Sequence, residues 1–205
     1  MGGEVGRAAR SRGRSGGELS VAAPDRRSLI AAALAAAGAW AGGPVMAAEP
    51  RSMRPQPGDR FVFAQGDRAG SPVAPADVAP GAAPVVAWPV DPASQTVRDG
   101  SRLNQVLLVH LDPASLDEAT APRSAGGIVA YSATCTHALC PVTGWNAEGQ
   151  IFHCPCHQSD YDPSRDGKVV AGPAPRALPA LAVKIEGDAL VAAGTFTRRV
   201  GAGAS

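Results

Sequence analysis

Two short segments carry the side chains of this chain that are best suited to bind a metal. They read Cys135-Thr-His137-Ala-Leu-Cys140 and Cys154-Pro-Cys156-His157-Gln-Ser159. Each offers a cysteine and a histidine two or three positions apart, together with a second cysteine. Two thiolates and two imidazoles suit either a tetrahedral zinc ion or an iron–sulfur cluster with mixed ligands. The spacing alone does not decide between these two kinds of site.

The rest of the chain offers little chemistry of its own. All 4 cysteines and three of the 4 histidines lie between Cys135 and His157. The 24 glycines and 19 prolines, with only 4% aromatic residues, are too many for a helical bundle and indicate a turn-rich β domain. The net charge is +1, and the basic excess falls in the first 27 residues. The body of the chain therefore lacks the basic surface expected of a nucleic-acid-binding protein.

Runs of apolar and β-branched residues, bounded by Pro, Gly and Asp, predict the strands. They cover residues 60–65, 85–90, 103–111, 128–133, 168–171, 181–186 and 189–193. One helical turn is expected at 113–118. These elements predict an all-β fold, a small antiparallel β-sandwich or barrel, interrupted by the insertion that bears the cysteines and histidines.

The N-terminal 48 residues have the features of an export signal. Arg26 and Arg27 directly precede an apolar run that begins at Leu29, which is typical of a twin-arginine signal. Cleavage after Ala47 or Ala48 is expected, and retention as an uncleaved membrane anchor stays open. Either outcome predicts a periplasmic protein at the exported side of the cytoplasmic membrane. The twin-arginine route carries folded proteins, and a chain needs it if a cofactor is inserted in the cytoplasm, so this signal makes a cofactor worth seeking.

Three linked motifs resemble those of the Rieske 2Fe-2S proteins. They are Cys135-Thr-His137-x-x-Cys140, Cys154-Pro-Cys156-His157-x-Ser159-x-Tyr161-Asp162 and Gly172-Pro173-Ala174-Pro175-Arg176-x-Leu178-Pro179. The resemblance is strong over about residues 128–195 and weak over 84–127. It implies a Rieske domain with one 2Fe-2S cluster at 84–200, whose cluster-binding subdomain covers about 134–175. Residues 49–83 are then expected to be an extended Pro/Ala/Gly-rich lead-in with one short strand, and 201–205 a disordered tail.

The resemblance also implies the role of each residue in the motifs. Cys135 and Cys154 would bind the inner iron, and His137 and His157 the outer iron that accepts the electron. The remaining assignments are a disulfide of the high-potential branch between Cys140 and Cys156, hydroxyl donors to cluster sulfur at Ser159 and Tyr161, and a proline loop at Gly172, Pro173, Ala174 and Pro175.

Some residues depart from the family pattern or fall outside it. Ala138-Leu139 replaces the usual Leu-Gly after the first histidine, which puts quinol docking in doubt, and Gln158 replaces a common glycine. His110 and His153 have no partner motif and are expected to be structural. Trp145 is expected to pack beneath the cluster loop.

The predicted activity is one-electron transfer in an exported oxidoreductase. Three segments ahead of the first motif look most like the small Rieske subunit of arsenite oxidase: Pro84–Asp91, Gln105–His110 and Ile128–Ser132. That resemblance implies a larger molybdenum subunit as electron donor and a cytochrome c or copper protein as acceptor. The alternative is the Rieske subunit of a ubiquinol-cytochrome c reductase (cytochrome bc) complex.

Two other classes of protein fit the sequence less well. A structural zinc module would leave the serine, tyrosine and proline-loop matches unexplained. An oxygenase α-subunit needs a second iron held by two histidines and a carboxylate, and no histidine follows His157. The sequence therefore excludes the oxygenase.

Overall fold

The computed structural model describes residues 49–202 of the chain. The predicted signal segment at 1–48, including Arg26 and Arg27, and the last three residues of the predicted tail lie outside the described residues. No helix within residues 49–202 has both the length and the apolar character that crossing a membrane requires.

Short strands and 3-10 turns form the described part of the chain. The strands are β1 (Arg60–Phe63), β2 (Val85–Asp91), β3 (Thr96–Val97), β4 (Val106–His110), β5 (Ile128–Ser132), β6 (Gly144–Asn146), β7 (Ile151–Cys154), β8 (Ser159–Asp162), β9 (Lys168–Ala171), β10 (Ala180–Glu186) and β11 (Ala189–Phe196). The 3-10 turns are Pro50–Ser52, Pro75–Asp77, Arg102–Asn104, Pro113–Ser115 and Ala121–Arg123.

Six of these strands close into an antiparallel barrel. Their order is β1-β11-β10-β5-β4-β2, and β1 pairs with both β11 and β2, so that the sheet closes on itself. The short β3 pairs with the C-terminal end of β2, at Val90 and Asp91. Closure leaves no long unpaired edge. The predicted all-β antiparallel fold is confirmed.

Strands β4 and β5 are buried on both faces because they belong to two hydrophobic cores. Val106, Leu108, Ile128 and Ala130 point into the barrel core. Their neighbours Leu107, Val109, Val129 and Tyr131 point outward into a second core, which they share with the Cys/His insertion. Successive side chains of a strand face opposite sides, so one pair of strands supports both cores.

The insertion between β5 and β10 forms its own antiparallel sheet, in the order β6-β7-β8-β9. Phe152 of β7 and Tyr161 of β8 lie opposite each other in this sheet and fill the second core. The loop after β5 and the loop between β7 and β8 carry the two Cys/His segments. The buried core between the sheets therefore sets the position of both loops.

Residues 49–83 contribute to the barrel rather than only leading into it. They supply β1 and two residues of the barrel core, Val73 and Val78. Asp59 forms a two-bond ion pair with Arg98, with Nε–Oδ2 at 2.6 Å and Nη2–Oδ1 at 2.9 Å, and both side chains are buried. The ion pair joins this segment to the turn after β3.

The strand expected at 103–111 begins only at Val106. Asn104, in the preceding 3-10 turn, is buried, and its side-chain amide donates to the carbonyls of Met53 and Arg98 at 2.8 and 3.0 Å. These bonds hold the backbone in a turn where the apolar pattern suggested a strand.

Candidate metal centre

The two Cys/His segments form facing loops at one end of the barrel. The first follows β5 directly, and its start is closed by a bond from the Cys135 N–H to the Cys140 carbonyl at 2.8 Å. The second is the turn between Cys154, the last residue of β7, and Ser159, the first residue of β8. Because the ends of β7 and β8 are paired, Cys154 lies opposite Ser159.

The four residues predicted as ligands are brought together and differ in burial. The side chains of Cys135 and Cys154 are both 1% exposed, whereas His137 is half-buried and His157 is exposed. The imidazole ring centroids of His137 and His157 are 4.6 Å apart, with the ring planes at 85°. The arrangement therefore has a buried sulfur side and an imidazole side that reaches the surface.

The two cysteine thiols that are not in a disulfide share one buried environment. Burial raises the pKa of the Cys154 thiol; the backbone N–H of Cys156 opposes this shift, and the nearby Cys135 adds to it. Two adjacent thiolates need a cation to offset their charge. The site thus favours protonated thiols or thiolates bound to metal.

A disulfide clamps the two loops together. Cys140 and Cys156 are joined, with their Cα atoms 6.4 Å apart and a sequence separation of 16 residues. The predicted pairing is therefore present in the structure. The disulfide lies beside the buried thiol of Cys154, since the three sulfur atoms are within 4.8 Å of one another.

The hydroxyl of Tyr161 contacts the sulfur of Cys135. The Oη–Sγ distance is 3.1 Å, and the same oxygen accepts from the N–H of Thr136 at 3.2 Å. Burial, and next the contact with Cys135, raise the pKa of Tyr161 far above its usual value. The phenol therefore keeps its proton and can donate it to sulfur.

Two buried polar atoms at the site lack a hydrogen-bond partner among residues 49–202: His137 Nδ1 and Ser159 Oγ. An unpartnered buried polar group is costly and indicates a missing interaction. An iron–sulfur cluster offers iron to the imidazole nitrogen and sulfide to the hydroxyl. A zinc ion would satisfy the imidazole but would give the hydroxyl no acceptor, so the residues fit the cluster.

The proline loop packs against the second cluster loop and requires its glycine. Gly172 has a φ of +82°, and a Cβ there would lie 2.3 Å from the carbonyl oxygen of Gln158. Pro173, Ala174 and Pro175 follow it, and the Thr136 hydroxyl donates to the carbonyl of Arg176 at 2.6 Å. The proline loop therefore contacts the second cluster loop, and the residue that follows it, Arg176, contacts the first.

This chain departs from the family pattern at Leu139 and at Gln158, and both residues have a left-handed backbone conformation. Leu139 has a φ of +62° and Gln158 a φ of +58°. Such angles favour glycine, and a side chain there typically costs about 1 kcal/mol. The backbone that glycine allows in the family is thus kept here with larger residues, while Ala138 is exposed. The sequence motifs indicate both substitutions but do not predict the left-handed backbone conformation.

The remaining histidines have local hydrogen-bond partners. The Trp145 ring has a packing partner, and its buried Nε1 has no hydrogen-bond partner among residues 49–202. His110 Nδ1 donates to the carbonyl of Val78 at 3.0 Å, and His153 Nδ1 lies 2.6 Å from Asp160 Oδ1. The Trp145 ring packs on Phe152 with centroids 5.5 Å apart. These contacts agree with the structural roles predicted for all three.

Comparisons with known proteins locate the same region. The family model of the Rieske [2Fe-2S] domain matches residues 90–182. The cytochrome bc1 complex Rieske iron-sulfur subunit of Corynebacterium diphtheriae is 47% identical over 77 residues, which cover 37% of this chain and 19% of the relative. The corresponding subunit of Streptomyces lividans is 38% identical over 98 residues, covering 47% and 58%.

Other relatives differ in the complex for which they are named. The Rieske subunit assigned to a respiratory nitrate reductase in Haloferax mediterranei is 39% identical over 108 residues, covering 52% of this chain and 48% of the relative. Among solved structures, the soluble domain of Rieske protein II from Sulfolobus acidocaldarius is 24% identical with a TM-score of 0.36, over 47% of this chain and 66% of that one.

The chain thus spans between about a fifth and three fifths of the length of these curated relatives. The matched segment contains both Cys/His loops and the proline loop, where the structure leaves a buried imidazole nitrogen and a buried hydroxyl without partners. The chain therefore carries a Rieske [2Fe-2S] domain, which binds one 2Fe-2S cluster.

Proposed function

We propose that Cys135 and Cys154 bind the inner iron of the cluster and that His137 and His157 bind the outer iron. The contrast between two buried thiols and two imidazoles nearer the surface supports this assignment. The bound cluster supplies a one-electron couple. The imidazole edge of His157, the most exposed of the four, is the place where electrons enter and leave.

The side chains around the ligands adjust the reduction potential. Tyr161 donates to the Cys135 sulfur, and Ser159 would donate to a cluster sulfide. Both hydrogen bonds stabilise the extra negative charge of the reduced state and so raise the potential. The Cys140–Cys156 disulfide holds the loops at a fixed separation, so that the ligands need not rearrange when an electron arrives.

The proposed context is a cytochrome bc-type complex, in which this chain is the Rieske subunit. Relatives of the matched segment that are named as bc1 or b6-f Rieske subunits support the proposal. A larger membrane subunit would then present the electron donor, and a cytochrome c would accept the electron. The twin-arginine pattern at Arg26 and Arg27 supports a location at the exported side of the membrane.

The second candidate is the small subunit of an exported molybdenum oxidoreductase of the arsenite oxidase kind, with a cytochrome or a copper protein as acceptor. One observation favours it. At the loop tip, the family's Leu-Gly pair is replaced by an exposed Ala138 and a left-handed Leu139. A quinol site would lose the apolar leucine that borders it.

Purification of the native complex distinguishes the two contexts. An affinity tag at the C-terminus of the chain is used to isolate the assembly from its own host under mild detergent. Haem b and haem c in fixed ratio to iron–sulfur are expected, with quinol reducing the cluster. Stoichiometric molybdenum without haem b would overturn the cytochrome bc assignment in favour of the second candidate.

A further inference from the structure

A groove lined by three arginines borders the first cluster loop. We define the arginine groove by Arg54, Arg198 and Arg199, with Leu103, Phe196 and Val200 forming its apolar wall; its volume is about 500 Å³. Neither aspartate nor glutamate is among its lining residues in the described part of the chain. The residues that line it come from three parts of the chain: Arg54, Leu103 and residues 195–200.

The positive charge of the groove is only partly neutralised. Arg198 pairs with Asp166 at 2.5 Å, but Asp166 also pairs with Arg123, so one carboxylate serves two guanidinium groups. Arg54 donates to the neutral amide oxygen of Asn104 at 2.9 Å. Within residues 49–202, neither Arg54 nor Arg199 forms an ion pair with a carboxylate.

Arg54 is exposed and has no carboxylate partner within residues 49–202, so its charge is available to an anion. Partial desolvation lowers the pKa of its guanidinium, and no carboxylate contributes an opposing shift. A partly desolvated cation without a counter-charge gains more from a carboxylate that approaches than a fully hydrated cation does. Guanidinium groups also bind carboxylates through two parallel hydrogen bonds.

Residues that directly adjoin the groove lining, Arg102 and Gly201, contact Leu139, which lies two residues after His137. On one side, Arg102, next to Leu103, donates to the Leu139 carbonyl at 2.7 Å. On the other, Gly201, next to Val200, is so close that a Cβ on it would lie 2.6 Å from Leu139 Cδ2. Arg176, which directly follows the proline loop, donates to the carbonyls of Arg199 and Gly201 and so holds this segment in place.

We propose that the arginine groove is a docking surface for an acidic patch on the protein that exchanges electrons with the cluster. Its charge is complementary to carboxylates, and its place beside Leu139 brings a docked protein next to the first cluster loop. An anionic lipid surface would bind the same charge, but it exchanges no electrons with the cluster, so it does not account for the position of the groove beside the first cluster loop. The proposal rests on one-electron transfer and holds for either complex considered above.

The test uses the cluster-loaded protein and two c-type cytochromes as probes, one with an acidic and one with a basic surface. Binding is measured by calorimetry with both proteins oxidised, at low and at physiological ionic strength. We expect the acidic cytochrome to bind more tightly, with an affinity that falls at least several-fold as salt rises, because salt screens charged surfaces.

Arg199→Glu should weaken binding of the acidic cytochrome about tenfold at low salt, and Arg54→Gln a few-fold. The matched control is Arg60→Glu, which makes the same change of charge at another exposed arginine. Arg60 pairs with Val191, five positions before Phe196 on β11, and so lies roughly 16 Å away along the strand. The electron paramagnetic resonance spectrum and potential of the cluster should be unchanged in all three variants.

Equal effects of Arg199→Glu and Arg60→Glu, or affinities insensitive to salt, would overturn the docking surface. It is likewise overturned if Arg199→Glu abolishes binding to phosphatidylglycerol vesicles and leaves binding of the acidic cytochrome intact. The rate of electron transfer is recorded separately by stopped flow. If the reduced protein transfers no electron to either cytochrome, the proposed function is contradicted. The binding data still test the docking surface separately.

Discussion

The hydroxyl of Tyr161 lies 3.1 Å from the sulfur of Cys135. When that sulfur is a thiolate, it is a charged acceptor for the hydroxyl proton of Tyr161. The Tyr161 oxygen already accepts from the Thr136 N–H, and the Thr136 hydroxyl donates its own proton to the Arg176 carbonyl at 2.6 Å. The Thr136 hydroxyl oxygen lies 3.3 Å from Tyr161 Oη and could also accept this proton, but it is neutral. A thiolate at Cys135 is the stronger acceptor because it is charged, and the hydrogen bond stabilises negative charge on the ligand.

Replacing Tyr161 with phenylalanine removes this donor and preserves the ring in the core. The potential should fall by roughly tens of millivolts, because only the part of a charge-assisted hydrogen bond that differs between redox states contributes. Iron content should stay at the wild-type level. Protein-film voltammetry measures the shift, and an unchanged midpoint would show that the hydroxyl does not act on the cluster.

Ser159 makes an equivalent test possible with a neighbouring serine as control. Its Oγ is buried without a partner in the described structure, whereas the Ser164 hydroxyl donates to Asp162 Oδ1 at 2.7 Å. Ser159→Ala should lower the potential with little loss of stability. Ser164→Ala should lower the unfolding free energy by about 1 kcal/mol and leave the potential unchanged. The opposite pattern would place Ser159 outside the cluster's hydrogen bonds.

The Cys140–Cys156 disulfide should stabilise the protein without holding the metal. Cys140→Ser and Cys156→Ser should each keep the cluster, since neither residue is a proposed ligand. Each should lose on the order of 3 kcal/mol, the estimate for closing a loop of about 15 residues. Iron content and denaturant unfolding check both statements. Complete loss of iron in both variants would mean that the ligands are misassigned.

Both tyrosines should resist ionisation in alkali. Burial raises the pKa of Tyr131 and of Tyr161 far above the usual value of 10.0. Above pH 10 the unfolded state loses protons that the folded state retains, so the unfolding free energy should fall as pH rises beyond this value. Ultraviolet phenolate absorbance should appear only together with unfolding. A smooth phenolate titration near pH 10 in the folded protein would contradict the burial of both rings.

The candidate metal ligands could be located from sequence because they are residue types at close spacing, whereas the choice of a cluster over zinc came from the resemblance to Rieske proteins. The same resemblance implied the roles of Cys140, Cys156 and Tyr161 without knowledge of the fold. Strands β4 and β5 were also predicted, since both of their faces are apolar. Their role in two separate cores was not, because a continuous apolar run does not say what covers each face.

Long-range features escaped prediction. The Asp59–Arg98 ion pair joins residues 39 positions apart, and it makes 49–83 part of the barrel although its composition suggests a loop. The arginine groove is assembled from residues as distant as Arg54 and Arg199. Composition gives only the number of arginines in the chain. The fold shows that the arginines of the groove come together near Leu139.

The central claim is a cluster with two histidine and two cysteine ligands, and pulsed electron paramagnetic resonance of the reduced protein tests it most directly. Protein labelled with nitrogen-15 only in histidine should show couplings to two imidazole nitrogens, alongside the low average g value of a mixed-ligand cluster. Both couplings should persist in the Cys140→Ser variant. A spectrum without histidine coupling, or a freshly folded protein that contains stoichiometric zinc and no iron, would contradict the assignment of Cys135, His137, Cys154 and His157.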